Sequence, residues 1–271
     1  MIRFTHILLA FGLAACNTNS SETKSAMTAP ATDTTNAFKA ILNGKWYQAS
    51  YIESITETKS PFRSQKGLAS IVELYIDTSK IKGDSLEVMS PSIHEGTTCV
   101  IYFKPGLGEF SIPTNIADYD TAGNFFELGY KISSNDTSLV LYKYNKEKKI
   151  TSEAQYLKVP SGADAPLQYM VSKTLFAGTY QAEDSAGQMS TIRFTNTGQV
   201  EGMPGYQTYY VQTDFVAGPE SNVDEVCFNI QSNNQRCYGF IIEGNTIQLY
   251  DVIENEDAAK LGGLKYKLTK Q

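Results

Sequence analysis

Two histidines, His6 and His94, and four cysteines, Cys16, Cys99, Cys227 and Cys237, are the residues with the widest chemical reach in this 271-residue chain. His6 falls in an apolar leader, which leaves His94 alone. One histidine excludes histidine triads and multi-histidine metal sites within a single copy. His94-Glu95, followed by Cys99, could in principle hold a metal, but "SPSIHEGTT" reads as an exposed turn. No Walker sequence and no glycine-rich dinucleotide fingerprint is present, and Gly202-Met203-Pro204-Gly205 reads as a turn, not a phosphate cradle. Glu254, Glu256 and Asp257 lack the alternating oxygen spacing and bend glycine that calcium requires, so they read as a solvated loop. The expectation is no catalytic residue, no metal and no cofactor: the chain reads as non-enzymatic.

The cysteines carry a more specific pattern. In "VCFNIQSNNQRCYGF" the polar centre reads as a hairpin turn. Folding the stretch symmetrically about Ser232 sets Cys227 opposite Cys237, close enough for a disulfide. That register puts Phe228, Ile230, Tyr238 and Phe240 on the other face. A slipped register would leave two unpaired thiols instead. Cys99, in "TTCVIYF", reads as a small core residue.

The elements that must position these residues are short and β-rich. The chain holds 17 Tyr and 13 Phe, and runs such as "ASIVELYI", "SLVLYKY", "YQTYYVQTDF" and "TIQLYDV" alternate with turn signals. This pattern predicts an all-β sandwich or barrel. The formal charge is −6 and the densest basic spot, Lys146 to Lys149, reads as a solvated hairpin tip. An acidic chain without a basic cluster is a poor nucleic-acid binder, so no nucleic-acid partner is expected.

The sequence also echoes itself. "AFKAILNGKWYQAS" from Ala37 matches "VSKTLFAGTYQAED" from Val171, "NDTSLVLYKY" matches "EGNTIQLYDV", and "AQYLKV" matches "LKYKLTK", in the same order. Three ordered echoes predict tandem units, 37–160 and 171–271, joined by a linker over 161–170, with the first unit's extra residues in its middle. Eight strand candidates fall in the second unit, around 178–183, 190–195, 198–202, 206–214, 225–231, 236–242, 246–251 and 264–269. Eight antiparallel strands suffice to close a barrel. Each unit opens with a short apolar segment, Phe38 to Leu42 and Met170 to Phe176, that can plug a barrel base.

At the amino end, Arg3, the apolar stretch Ile7 to Leu13 and the small residues Ala14 and Ala15 have the layout of a secretory signal over 1–15. The apolar run is too short to span a bilayer. Residues 16–36, rich in Thr, Ser, Ala and Asn, read as a flexible tether.

Two resemblances follow. Leu13-Ala14-Ala15-Cys16 resembles the lipobox of bacterial lipoproteins. That likeness implies cleavage before Cys16, a diacylglyceryl group on its thiol and an acylated amine, hence a membrane anchor. Asn17, in place of the Asp that favours inner-membrane retention, implies outer-membrane localisation. Gly44-Lys45-Trp46, a Gly-x-Trp entering the first strand after a short helix, resembles the lipocalin signature, and Gly178-Thr179-Tyr180 is its softened copy. The resemblance implies that Gly44, Trp46, Gly178 and Tyr180 close the bases of two small antiparallel eight-stranded barrels. The family's late Arg, which packs on the Trp, has no counterpart at the end of the first unit.

Two functions fit this reading. In one, a barrel lined by Tyr and Phe holds a small apolar or amphipathic ligand. In the other, the barrels are packed solid and dock an envelope protein partner.

Overall fold

The computed structural model describes residues 31–93, 95–133, 136–215, 222–254 and 258–271. The leader, Cys16, His94, Glu256 and Asp257 lie outside the described residues. Helix α1 (Ala31–Leu42) leads into strand β1 (Gly44–Gln48). Helices α2 (Ala49–Thr58) and α3 (Pro61–Ser64) follow, then β2 (Glu73–Ile76), β3 (Ser85–Met89), β4 (Thr98–Tyr102), β5 (Ser111–Ala117), β6 (Phe125–Ile132), β7 (Thr137–Tyr144) and β8 (Ile150–Lys158). These eight strands form a closed antiparallel barrel in chain order, sealed where β1 pairs β8. Helix α4 (Pro166–Leu175) opens the second half.

The second half continues through β9 (Gly178–Asp184), β10 (Met189–Phe194), β11 (Val200–Glu201), β12 (Tyr209–Val211), β13 (Glu225–Phe228), β14 (Arg236–Glu243), β15 (Thr246–Glu254) and β16 (Ala259–Lys270). Its strands fall at the eight expected places. They form one eight-stranded sheet in the order β11-β10-β9-β16-β15-β14-β13-β12, which is not closed. The first and last strands pair, as in the barrel, and the break lies between β11 and β12. Those two short edges meet at one isolated bridge, Gln199 to Thr208, made by Val200 N–H donating to the Gln207 carbonyl at 2.9 Å and Tyr209 N–H donating to the Gly198 carbonyl at 2.8 Å. The protein is therefore all-β with one closed barrel and one sheet of matching strand order.

Three readings of the sequence are corrected. The stretch assigned to the tether reaches 36, yet α1 begins at Ala31. Once Phe38 and Leu42 are anchored in the barrel core, the helix is already nucleated and extension toward the amino end costs little. The extra residues of the first unit are not in its middle but directly after β1, as α2 and α3. The echoes fix only the ends of each unit, so they leave the insertion point open. Ile230 does not share the buried face of Phe228, because β13 ends at Phe228 and Asn229 turns the chain at φ 48°. Ile230 is left exposed.

Two apolar clusters result. One fills the closed barrel: Trp46, Leu86, Ile101, Leu128, Leu139 and Tyr156, with Phe38 and Leu42 of α1 below them. Along β6, β7 and β8 the inward residues stack in rows, Tyr130–Leu139–Tyr156, then Leu128–Leu141–Ala154, then Phe126–Lys143–Ser152. The second cluster fills the other sheet and runs on into Tyr51, Ile52 and Ile55 of α2. The apolar side of α2 thus packs on the second half, against α4.

Two carboxylates cross this junction in opposite directions. Glu73 of β2 accepts the Leu167 N–H at the start of α4 at 2.6 Å. Asp224, just before β13, accepts the Phe62 N–H at the start of α3 at 2.7 Å. Each helix has proline at its first position, so the next N–H is an orphan donor that a carboxylate satisfies. Lys45 adds a third link, donating to the Ala163 carbonyl at 2.8 Å.

Candidate functional site

At the base of the closed barrel, β1 enters the sheet beside the end of α1. Trp46 is 1% exposed, and its indole N–H donates to the Leu42 carbonyl at 2.9 Å, tying the first strand to the end of α1. Tyr180 repeats the device, its hydroxyl donating to the Phe176 carbonyl, also four residues back, at 2.8 Å. Burial pushes the Tyr180 hydroxyl up to about 12, so it stays a neutral donor.

The resemblance supplied no late partner for these rings; the structure supplies a lysine. Lys158 pairs with Trp46 across the strands, its ammonium 5.4 Å from the ring centre. Lys270 pairs with Tyr180 in the same way at 6.0 Å. Both distances fall in cation–π range. The signal was present in the sequence, because Lys158 and Lys270 end the matching stretches "AQYLK" and "LKYKLTK".

Gly44 and Gly178 fit under these lysines. Their φ angles are 138° and 147°, which L side chains rarely adopt, and a Cβ on either would strike the lysine stem. Gly44→Ala and Gly178→Ala are each expected to cost about 1–3 kcal/mol, read as a lower urea midpoint. Gly67→Ala, where nothing lies within 4 Å of the new Cβ, is the neutral control.

The opposite end of the barrel is a cup of about 520 Å³. Phe126 and Leu141 form its floor, and Gln48, Asp118, Lys143 and Ser152 its walls. The Gln48 side chain donates to the Ser50 hydroxyl and the Gly67 carbonyl, both at 2.8 Å, and accepts the Ala69 N–H at 2.9 Å. One buried amide thereby pins the rim loop. Lys143 reaches Asp118 at 2.7 Å and stands 5.9 Å over the Phe126 ring. The hydrogen bonds from Lys143, and then from Asn124, hold the Asp118 carboxyl below its ordinary range. The cup is preformed, apolar below and internally charge-matched above. Such an arrangement has the shape and mixed polarity of a small-molecule site.

A second depression, about 880 Å³, runs over the outer wall of the barrel past Lys45, Tyr75, Glu87, Met89 and Val100. It sits where β2 and β3 are joined by one residue pair, Tyr75 with Met89.

The cysteines lie apart from both features. Cys227 and Cys237 form a disulfide between directly paired residues, as the symmetric fold about Ser232 predicts. Cys99 is buried in the barrel core, where burial raises its thiol above the ordinary value. Lys143 and Glu73 were not singled out in the sequence. No helix among the described residues is long and apolar enough to cross a membrane. No protein-family model, curated protein or solved structure matches the chain.

Proposed function

We propose that the chain is a non-enzymatic envelope lipoprotein, anchored to the outer membrane through lipid on Cys16, that works by docking a partner protein on the outside of its barrels. We take the second sheet to be a lipocalin-like barrel of the same design with one seam let open, and the units to be 37–160 and 171–271. The observation that carries the docking reading is the filled interior. Below the cup, Trp46, Leu86, Ile101, Leu128, Leu139 and Tyr156 are each at most 2% exposed and occupy the space a carrier would keep for cargo. A barrel of eight strands is just wide enough for its own side chains.

A second reading rests on the cup. Its volume and its apolar floor suit the end of a small amphipathic molecule, held at the mouth rather than inside. Native mass spectrometry of the Cys16→Ala protein separates the two. The docking reading expects the bare polypeptide mass, together with a discrete photo-crosslinked product in cells from probes on the outer wall, at Glu87 or Met89. A co-purifying small molecule that is lost in Leu141→Trp, which fills the cup, overturns it in favour of the second. Fatty-acid labelling that persists after Cys16→Ala would overturn the anchor.

A further inference from the structure

The outer face of the β13–β14 hairpin brings three metal-ligating residues together. The ladder pairs Glu225 with Gly239, Val226 with Tyr238 and Cys227 with Cys237. Side chains alternate along a strand, so Glu225 and Cys227 share one face, with Cys237 directly across. One ligand atom from each of the three lies within 4.8 Å of the other two. In the disulfide both sulfurs are occupied by each other and neither can ligate.

We propose that, once reduced, this hairpin binds one thiophilic divalent cation of the zinc class through Cys227 Sγ, Cys237 Sγ and a Glu225 carboxylate oxygen, with water in the fourth position. A dithiol reductant transfers its two electrons and two protons to the bridge. The reductant becomes a cyclic disulfide and the bridge becomes two thiols. Binding the cation then expels both thiol protons, since the thiolate is the ligand. Metal–sulfur bonds of about 2.3 Å and metal–oxygen bonds of about 2.0–2.2 Å in a tetrahedron require sulfurs about 3.8 Å apart and the oxygen about 3.5 Å from each. Side-chain rotation of opposed residues supplies this without moving the strands.

The hairpin has contacts besides the bridge that hold its register. Its turn is closed by Ser232 N–H to the Asn229 carbonyl at 3.2 Å, Gln235 N–H to the Ser232 carbonyl at 3.1 Å and Gln231 N–H to the Gln235 side-chain oxygen at 2.8 Å. Phe228 and Val226 anchor β13 in the second core. The geometry therefore makes the bond between the sulfurs and the coordination of a cation mutually exclusive states of one site, selected by redox conditions.

The test uses the full chain with Cys16→Ala, reduced by a phosphine without oxygen and titrated with Co²⁺ as the spectroscopic probe. One equivalent is expected to bind, with a thiolate-to-cobalt charge-transfer band that Zn²⁺ abolishes. The oxidised protein and Cys227→Ser should give no such band, and Cys99→Ser should titrate like its parent. Glu225→Gln is expected to weaken binding by at least about 10-fold, since losing even a group that only supports a ligand costs about 10–100-fold. Absence of the band in reduced protein that keeps its near-UV circular dichroism overturns the site. An unchanged Glu225→Gln titration overturns the carboxylate's role. If reduction loosens the hairpin, the near-UV signal should return with Zn²⁺, because binding and folding are coupled; failure to return also overturns the proposal.

Discussion

Trp46→Ala is expected to destabilise the protein by about 3–5 kcal/mol, the range for emptying a large buried aromatic site. In a domain of this size that lowers Tm by about 6–20 °C, read by calorimetry. Three losses coincide at this residue. Its ring fills the base of the closed barrel among Phe38 and Leu42. Its N–H is the donor that the Leu42 carbonyl accepts at the end of α1. Its face is what the Lys158 ammonium stands over. Truncation opens a cavity, orphans a helix-end carbonyl and uncovers a cation at once. Tyr180→Phe isolates one of these terms in the second sheet, removing only the hydroxyl that the Phe176 carbonyl accepts. It is expected to cost about 0.5–1.5 kcal/mol. Equal losses for the two variants would mean that the aromatic bulk at the base carries no special weight.

The second large effect lies at the junction between the halves. Glu73→Ala and Asp224→Ala each leave a helix N–H without its acceptor, at about 1–3 kcal/mol apiece, and the double variant should lose about the sum if the sites are independent. The neutral isosteres behave differently. Burial is the largest influence on both carboxyls and raises both, Glu73 from 4.5 and Asp224 from 3.8. The hydrogen bonds from Leu167 N–H and Tyr75, and those from Ser60 and Phe62 N–H, pull the other way without prevailing. Lys45 faces Glu73 and Arg63 faces Asp224 with the same sign. Between the unfolded and the raised native values, the native state binds more protons than the unfolded chain. These two groups therefore make stability fall as pH rises through that window, and their penalty is fully present above it. Glu73→Gln and Asp224→Asn keep an acceptor oxygen and remove the buried charge. At neutral pH they are expected to match or exceed the parent in urea midpoint, and to flatten its pH dependence above the ordinary carboxylate values. A loss at pH 7 as large as that of the alanine variants would show that the ionised form is the one the junction requires.

What could be read in the sequence was local. The polar centre of "QSNNQ" dictates a symmetric hairpin, and Cys227 meets Cys237 because a two-residue period leaves opposed positions no alternative once the turn is fixed. The eight strands of the second sheet were visible because turn residues bracket each of them. Helix α2 was overlooked although Tyr51, Ile52 and Ile55 have helical spacing, since β-rich runs surround it. The junction was out of reach: Leu167 is 94 residues from Glu73 and Phe62 is 162 from Asp224. No local pattern announces which N–H an acidic residue will find at such separation. The cup was equally hidden, because Lys143 meets Asp118 and the Phe126 ring only once the barrel closes. The open seam between β11 and β12 follows from strands of two and three residues, too short to show a pairing preference.

The shared cluster has a consequence for how the molecule comes into being. A ribosome delivers the closed barrel first, and at that moment the greasy side of α2, with Tyr51, Ile52 and Ile55, lacks the part of its cover that the second half supplies. Its cover, Leu167, Val171 and Leu175 of α4, begins nine residues after β8 ends at Lys158. A gene cut between the halves would make that waiting period permanent, and the amino-terminal fragment would be the one to precipitate.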